Sequence, residues 1–482
     1  MSTVTAEISR RPYPMVLAAL IAAEATGSFE GGMLIAAIPK LMADFNVTAA
    51  DISWALTGFF LMFGASAAIG GRLGDLLGRK KVLVVALLLS IIGSLVSIGT
   101  GTFIGVVIGR TLQGVSGAVL PLVLGIGREA VEPKRVPVTL SVVAGINVLA
   151  GAGGFYVSGL LVEHINWHSI FIVSAVLAAV AALLCAVGLE RSPVTRVEGE
   201  KFDYIGGVLF VPAICLVLYG VTDSLTRGWG SATVLGTIGI GVVIGAIWVL
   251  WELRVENPML NLRLLSKPPY ALTVAIFAFV SFGAIGGMQM VQPILFQSPT
   301  SAPLGLGITP SQYGKIGLAL AVVGFLFTPL CGRLVTWSGA RLPIRLGIAI
   351  SVVTMPFLYI LRDNLFAMIL LLVVSGIGVT FILCAIPNVL TEFLPQENMG
   401  EAMGVVGVVG SIFSSVGISV FAVVLSSSVV PGTQLPQVSA YGITVALTAA
   451  GMVLAMASAF LLPRRSQRGA TVAEPESVLA QE

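Results

Sequence analysis

The sequence predicts an all-α membrane protein with fourteen transmembrane helices. Three observations carry that prediction: a scarcity of charge, apolar blocks of a membrane-spanning length, and a one-sided distribution of lysine and arginine. Of 482 residues, 56% are hydrophobic and 10% charged, and the mean hydropathy is +1.01. A soluble chain carries roughly a quarter charged residues, so a water-covered globule is excluded. The apolar residues come in blocks near twenty long, the length that crosses a hydrocarbon core of about 30 Å. Most of the 56 glycines lie inside those blocks, where small residues let helices approach closely in lipid.

The expected spans are 15–38, 52–74, 82–100, 103–126, 136–162, 169–189, 205–222, 231–251, 270–296, 313–335, 343–361, 365–390, 402–429 and 439–462. An even count puts both termini on one side, and basic residues mark that side as cytoplasmic. With the N-terminus inside, 21 of the 26 basic residues fall in cytoplasmic segments and three (Lys40, Arg227, Arg362) in outer loops. Arg110 and Lys315 fall within spans. The net charge of +3 is therefore a matter of topology, and no nucleic-acid partner is expected. Arg10-Arg11, the apolar run that follows and Ala23-Glu24-Ala25 imitate a secretory leader. Apolar character resumes through Pro39, however, so the first helix is expected to be retained. Cys185, Cys215, Cys331 and Cys384 all sit in apolar spans without ligand spacing and read as small core side chains.

Sliding the chain against itself by 261 residues aligns Gly71-Arg72-Leu73 and Gly78 with Gly332-Arg333-Leu334 and Gly339. Val47-Thr48 likewise meets Ile308-Thr309. Span 2 thus corresponds to span 10, and span 1 to span 9. The expected organisation is a cytoplasmic N-terminus (1–14), a six-helix bundle (15–189) and a linker (190–204). An inserted helix pair (205–251), a second linker (252–269), a second six-helix bundle (270–462) and a polar cytoplasmic tail (463–482) follow. Parallel halves of this kind are a transporter architecture, with the substrate site between them near mid-membrane.

The sharpest motif runs from Gly71 to Lys81 between spans 2 and 3: Gly71-Arg72-Leu73-Gly74-Asp75-Leu76-Leu77-Gly78-Arg79-Lys80-Lys81. Gly64, Ala68 and Gly71 form a small-residue face on span 2 that ends at Asp75. Arg79 lies four residues on, within reach of Asp75 if the turn stays helical. On span 13, Gly400, Gly404, Gly407, Gly410, Ser414 and Gly417 offer a partner face. The motif resembles the loop signature of the major facilitator superfamily, G-x-L-G-D-x-x-G-R-[RK]. That resemblance implies the major facilitator fold, with this loop as a conformational latch remade as the halves rock. Thr336 stands at the position equivalent to Asp75 in the second copy, so a one-sided latch is expected.

Glu24, Glu30 and Arg110 are the charges deep in the spans, and such charges are functional by default because each costs several kcal/mol unless paired or hydrated. Phe29-Glu30-Gly31-Gly32 through Ala37-Ile38-Pro39 resembles the first-span motif of the fourteen-span drug:proton antiporters, L-D-x-T…A-L-P. Arg110-Thr111-Leu112-Gln113-Gly114, with Gly117, matches the fourth-span motif R-x-x-Q-G-x-x-G. The fifth-span motif, G-P-x-x-G-G, is altered: Gly154-Phe155-Tyr156-Val157-Ser158-Gly159 places Phe where the family has Pro. Asn147, Gly151, Gly154 and Ser158 still form one small, slightly polar stripe.

In low dielectric a carboxyl favours its neutral form, and a nearby cation favours the ionised one. These opposed effects make Glu30 the expected proton carrier and Arg110 the partner that resets it, with Glu24 as a second relay or a cavity residue. Expected substrate contacts are Phe29, Gln113, Asn147, Gln289, Gln292 and Asn388, uncharged groups of the kind that orient a ligand. Phe277, Phe282 and Met290 would add to the apolar wall. The chain has no Walker loop, metal-ligand cluster or catalytic triad pattern, so no enzyme activity, cofactor or metal is expected. The expectation is a monomer in the inner (cytoplasmic) membrane, surrounded by lipid. It would export small amphipathic compounds or drugs against a proton gradient. Two alternatives stand beside it: a proton symporter importing a small organic acid, and a non-transporting membrane sensor.

Overall fold

The computed structural model describes residues 11–190, 203–255, 258, 260–394 and 399–463. The expected N-terminal segment, the 190–204 linker and the 463–482 tail therefore lie largely outside the described residues, as does the packing around Gly400. Thirteen described helices are long and apolar enough to cross a membrane. The fourteenth is span 1, where Tyr13–Gly32 carries two buried carboxyls and continues through a 3-10 turn, Ile35–Ala37, into Ile38–Phe45. Spans 2 to 6 are Ala49–Leu77, Arg79–Thr100, Phe103–Glu129, Val136–His164 and His168–Gly188. The inserted pair is Tyr204–Arg227 and Ala232–Arg254. Spans 9 to 14 are Pro268–Gln297, Pro310–Ser338, Arg341–Ile360, Leu365–Phe393, Met399–Ser427 and Val438–Leu461.

The repeat reaches further than the sequence match. Spans 2 and 10 each have 29 residues and start 261 positions apart. Each opens on a capping box, Thr48 with Asp51 and Thr309 with Gln312, in which two orphan backbone donors are satisfied reciprocally. Each ends on a glycine at positive φ, Gly78 at 93° and Gly339 at 79°, a conformation that disfavours any residue with a Cβ.

Among the described residues three helices are interrupted: span 1 at Ile35–Ala37, span 4 by a 3-10 segment at Gly114–Ala118, and span 9 by a π-helical turn at Ser281–Gly287. In span 4 the glycines of the interruption let span 2 cross closely. A Cβ on Gly114 would lie 2.5 Å from the carbonyl oxygen of Phe59, and one on Gly117 would collide with that of Phe63.

The halves meet mainly on the side away from the termini, here the far side. There a single apolar core joins Met33–Leu41, Ile52, Leu56 and Phe171 of one half to Met290–Phe296, Tyr313, Phe421 and Tyr441 of the other. Two seams flank it. Spans 2 and 13 meet through Ala50 N to Ser426 Oγ (2.9 Å), Thr57 to Ser419 (3.1 Å) and Gly64 against Ser411; spans 5 and 10 form the other seam. Gln297 adds a bond to the Ala36 carbonyl at 3.0 Å. Towards the termini side the cores separate. One, from Val16 to Leu189, belongs to the first half; the other belongs to the second half with Phe210 of span 7 and Ala65 of span 2. The inserted helices pack on each other, and span 7 lies against spans 2 and 13.

Candidate functional site

Glu30 and Arg110 are both completely buried. Gly93 and Gly109 bring spans 3 and 4 together, since a Cβ on either would meet the other's carbonyl. That close crossing sets Ser94 of span 3 beside Gln113, and Ser90 on the same helix faces Glu30. Span 6 adds Ser174. Glu30 Oε1 accepts from the Ser90 hydroxyl and from Ser174 Oγ at 2.9 Å. Arg110 Nη1 donates to the backbone carbonyl of Glu30 and to Gln113 Oε1, both at 3.0 Å, and the guanidinium carbon sits 4.0 Å from the centre of the Phe59 ring. Gln113 Nε2 donates to Ser94 (2.8 Å) and Ser174 (3.2 Å).

Glu30 and Arg110 are therefore neighbours within one hydrogen-bonded network, but the cation holds the carbonyl of residue 30 and not its carboxyl. No hydrogen bond of standard geometry reaches Glu30 Oε2, Arg110 Nε and Nη2, or Ser116 Oγ, although Ser116 lies beside the Glu30 carboxyl. Buried polar groups left in this state are rare and call for an explanation. Here they give the carboxyl and the guanidinium a second possible arrangement, in which they bond to each other.

Glu24 forms a separate cluster nearer the termini side. Asn147 Nδ2 donates to Glu24 Oε1 at 2.6 Å and to Ser28 Oγ at 3.0 Å, and Ser28 Oγ donates to the same carboxyl oxygen at 3.1 Å. Ser28 and Asn147 are half-buried while Glu24 is buried. The span 5 stripe fits against span 1: a Cβ on Gly154 would lie 2.5 Å from the Phe29 carbonyl oxygen, and Gly32 abuts the Gly151 carbonyl.

Several expected cavity residues lie elsewhere. Gln113 is fully buried and serves the Arg110 network, because three polar groups surround it there. Phe29 is buried in the far-side core. Asn388 is exposed near the termini-side end of span 12, bonds to its own helix at Cys384 O (2.8 Å), and borders a surface cleft with Thr336 and Glu392. Gln292 accepts from Tyr313 Oη at 3.5 Å near the span 5–10 seam. Gln289 is half-buried with Oε1 unpartnered. Met290 is fully buried, and Phe277 and Phe282 pack against Gly410 and Phe421.

At the loop motif, Arg79 Nε and Nη2 bond Asp75 Oδ1 at 3.0 and 2.8 Å. Arg79 Nη1 also pairs with Glu129 at the end of span 4 (2.7 Å), a partner that sequence reasoning missed. Gly74 and Gly125 provide the room, for a Cβ on Gly125 would lie 2.5 Å from Arg79 Nη1. The expected partner face on span 13 is used differently. Gly410, Ser414 and Gly417 pack on span 9, while Gly404, Gly407 and Gly71 face open space. In the second copy the Thr336 hydroxyl turns back to the Arg333 carbonyl.

A family model for the Major Facilitator Superfamily matches residues 20–418 and, in a second match, 274–480. The chain belongs to the major facilitator superfamily. It is a membrane transporter and not an enzyme. Among relatives, it is 24% identical to the tetracenomycin C resistance and export protein of Streptomyces glaucescens over 87% of this chain and 77% of that protein. It is 30% identical to the uridine/deoxyuridine transporter of Lactococcus lactis subsp. cremoris over 81% of this chain and 82% of the relative. It is 25% identical to the lincomycin resistance protein LmrB of Listeria monocytogenes over 86% and 87%. The fold matches the nucleoside transporter NupG with a TM-score of 0.66 at 12% identity, covering 92% of this chain and 99% of NupG.

Proposed function

We propose that this transporter exports small amphipathic compounds across the cytoplasmic membrane in exchange for protons, with both termini in the cytoplasm. The observation that carries the reading is the Glu30 carboxyl. It is fully buried and bonded through one oxygen to two serines, and its other oxygen lies free in the network that also holds the unsatisfied guanidinium nitrogens of Arg110. Ionised, Glu30 draws Arg110 from the carbonyl to the carboxylate; protonated, it releases the guanidinium to the carbonyl and Gln113. Each exchange shifts span 1 against spans 3, 4 and 6, which is how a proton could move one half. The resistance and export relatives support the outward direction. Contacts between halves that concentrate on the far side are those of a transporter open towards the termini, ready to load from the cytoplasm.

The Glu24–Ser28–Asn147 cluster supplies a carboxyl and an amide on half-buried surface between spans 1 and 5, suited to orient a polar group of the substrate. A second reading is proton-coupled uptake. It rests on the uridine/deoxyuridine relative and on Phe155 standing where the antiporter motif has proline. Energised inside-out vesicles and right-side-out vesicles, loaded in parallel with a panel of drugs, nucleosides and organic acids, separate the two. Accumulation in inside-out vesicles that collapses with the proton gradient supports export. Accumulation confined to right-side-out vesicles assigns uptake instead.

A further inference from the structure

We infer that Phe155 and Glu163 of span 5 form a two-point lock on span 10 that holds the far side of the transporter shut. The first point is steric. The Phe155 ring lies in a notch left by glycines on span 10: any Cβ on Gly317 would collide with it, and one on Gly314 would lie 2.9 Å from the Tyr156 Cα. The ring also packs on Tyr313, with centroids 5.0 Å apart. Proline at position 155 would have bent span 5 and left that notch empty. The residue that departs from the fifth-span pattern thus gains a contact in the opposite half.

The second point is electrostatic. Glu163, two turns on, accepts from the backbone N–H of Ser311 at 2.9 Å. Ser311 lies in the first turn of span 10, where N–H groups lack intrahelical partners and the helix end is positive. Thr309 and Gln312 satisfy two of those groups within span 10, and Glu163 takes another from across the seam. Between the two points, Gly159 lets Pro310 approach so closely that a Cβ there would collide with its carbonyl. Glu163 is exposed, so water can take its place at the Ser311 N–H once the seam opens. Both contacts join opposite halves, and both must break before the far side can open.

The inference rests on the opening passing from one side of the membrane to the other, as in the proposed function, but not on proton coupling or on direction. The test is a distance measurement by pulsed electron spin resonance on the full chain. Spin labels go on Thr100→Cys and Asp363→Cys, exposed far-side positions of opposite halves, with Cys185, Cys215, Cys331 and Cys384 replaced by serine. Phe155→Ala and Glu163→Ala are each expected to raise the wider-separated population by about fivefold or more. Glu163→Gln should fall between Glu163→Ala and wild type, because it keeps an acceptor and loses the charge. Should Phe155→Ala fail to run as a single species on size exclusion, Phe155→Leu and Glu163→Ala carry the test. Distance distributions identical to wild type in the folded variants overturn the lock. Glu30→Gln in the same labelled chain reads the proton hypothesis separately. It is expected to lose gradient-driven accumulation and to leave the widening by Glu163→Ala intact.

Discussion

Glu30→Gln separates coupling from folding, because the structure specifies what each atom of residue 30 does. The amide oxygen can replace Oε1 and accept from Ser90 and Ser174, two bonds worth about 1 kcal/mol each. The Arg110 bond to the residue 30 carbonyl is untouched. Thermal stability in detergent should therefore change by no more than about 1 kcal/mol. What is lost is the only deep carboxyl in the Arg110 network. With membrane potential clamped by valinomycin and equal potassium, one proton moved per cycle contributes about 1.4 kcal/mol per pH unit, a factor of about ten in accumulation. Wild-type vesicles should thus concentrate substrate about tenfold at one pH unit and about a hundredfold at two. Glu30→Gln should settle near a ratio of one at any gradient. Exchange of labelled for unlabelled substrate, which needs no net proton movement, should persist. A variant that still concentrates substrate with the wild-type dependence on pH difference refutes Glu30 as the carrier.

At a pH where Glu30 is ionised, Arg110→Ala should cost about 3–5 kcal/mol by leaving a buried carboxylate with no cation, and Glu30→Gln in the same chain should restore much of it. Equal melting temperatures for the single and double variants would show that the residues are not coupled. Glu129→Gln should alter stability by less than about 1 kcal/mol, since its pair with Arg79 is partly exposed, yet slow transport. An unchanged turnover removes Glu129 from the latch. Asn147→Ala should raise KM for a subset of substrates and leave proton release in Glu30-dependent assays unaltered; a uniform loss across substrates would point to helix packing. Gly154→Val should lower stability by about 1–3 kcal/mol and with it the yield of folded protein, because the Phe29 carbonyl occupies the space a side chain needs. Thermal unfolding reads this directly.

The sequence made the span pattern legible because a lipid core imposes a length and basic residues mark a side. It also made the repeat legible, from the match of Gly71-Arg72-Leu73 with Gly332-Arg333-Leu334, while the two capping boxes 261 residues apart emerged only in the structure. The buried charges stood out for the same reason: few residues of their kind can survive there. What stayed hidden is rotation about each helix axis. Lipid is as apolar as a helix interface, so periodicity does not tell which face of a span points inward. The sequence therefore did not show that Gln113 turns to the Arg110 network or that Asn388 is exposed near a span end, although both lie on correctly located spans. The serines were hidden for another reason. A hydroxyl in a span can bond its own preceding turn, as Ser97 does to Gly93, so Ser90 and Ser174 carried no signal as isolated letters. Ser90, Ser94 and Ser97 together did offer one, a polar stripe at helical spacing on an otherwise apolar span. Glu129 was masked by its position at a span end, where an acid is ordinary.

The two halves share geometry and differ in chemistry, and that difference constrains how one can drive the other. Spans 2 and 10 match in length, cap and terminal glycine, yet Asp75 has Thr336 as its counterpart. The buried acids Glu24 and Glu30 have no equivalents among the described residues of spans 9 to 14. On the proposed mechanism, a proton bound in the first half would act on the second through the far-side core and the seams. Those seams are of unlike kinds. Spans 2 and 13 meet through hydroxyls and small residues, Thr57 with Ser419 and Gly64 with Ser411, surfaces that can slide. Spans 5 and 10 meet through a ring seated in a glycine notch and a carboxylate on a helix end, contacts that hold or let go. Span 1 packs directly on span 5 through Gly32, Gly151 and Gly154. On the proposed mechanism, a shift of span 1 driven at Glu30 would reach the second half both at the Ala36–Gln297 bond and at the seam built to release.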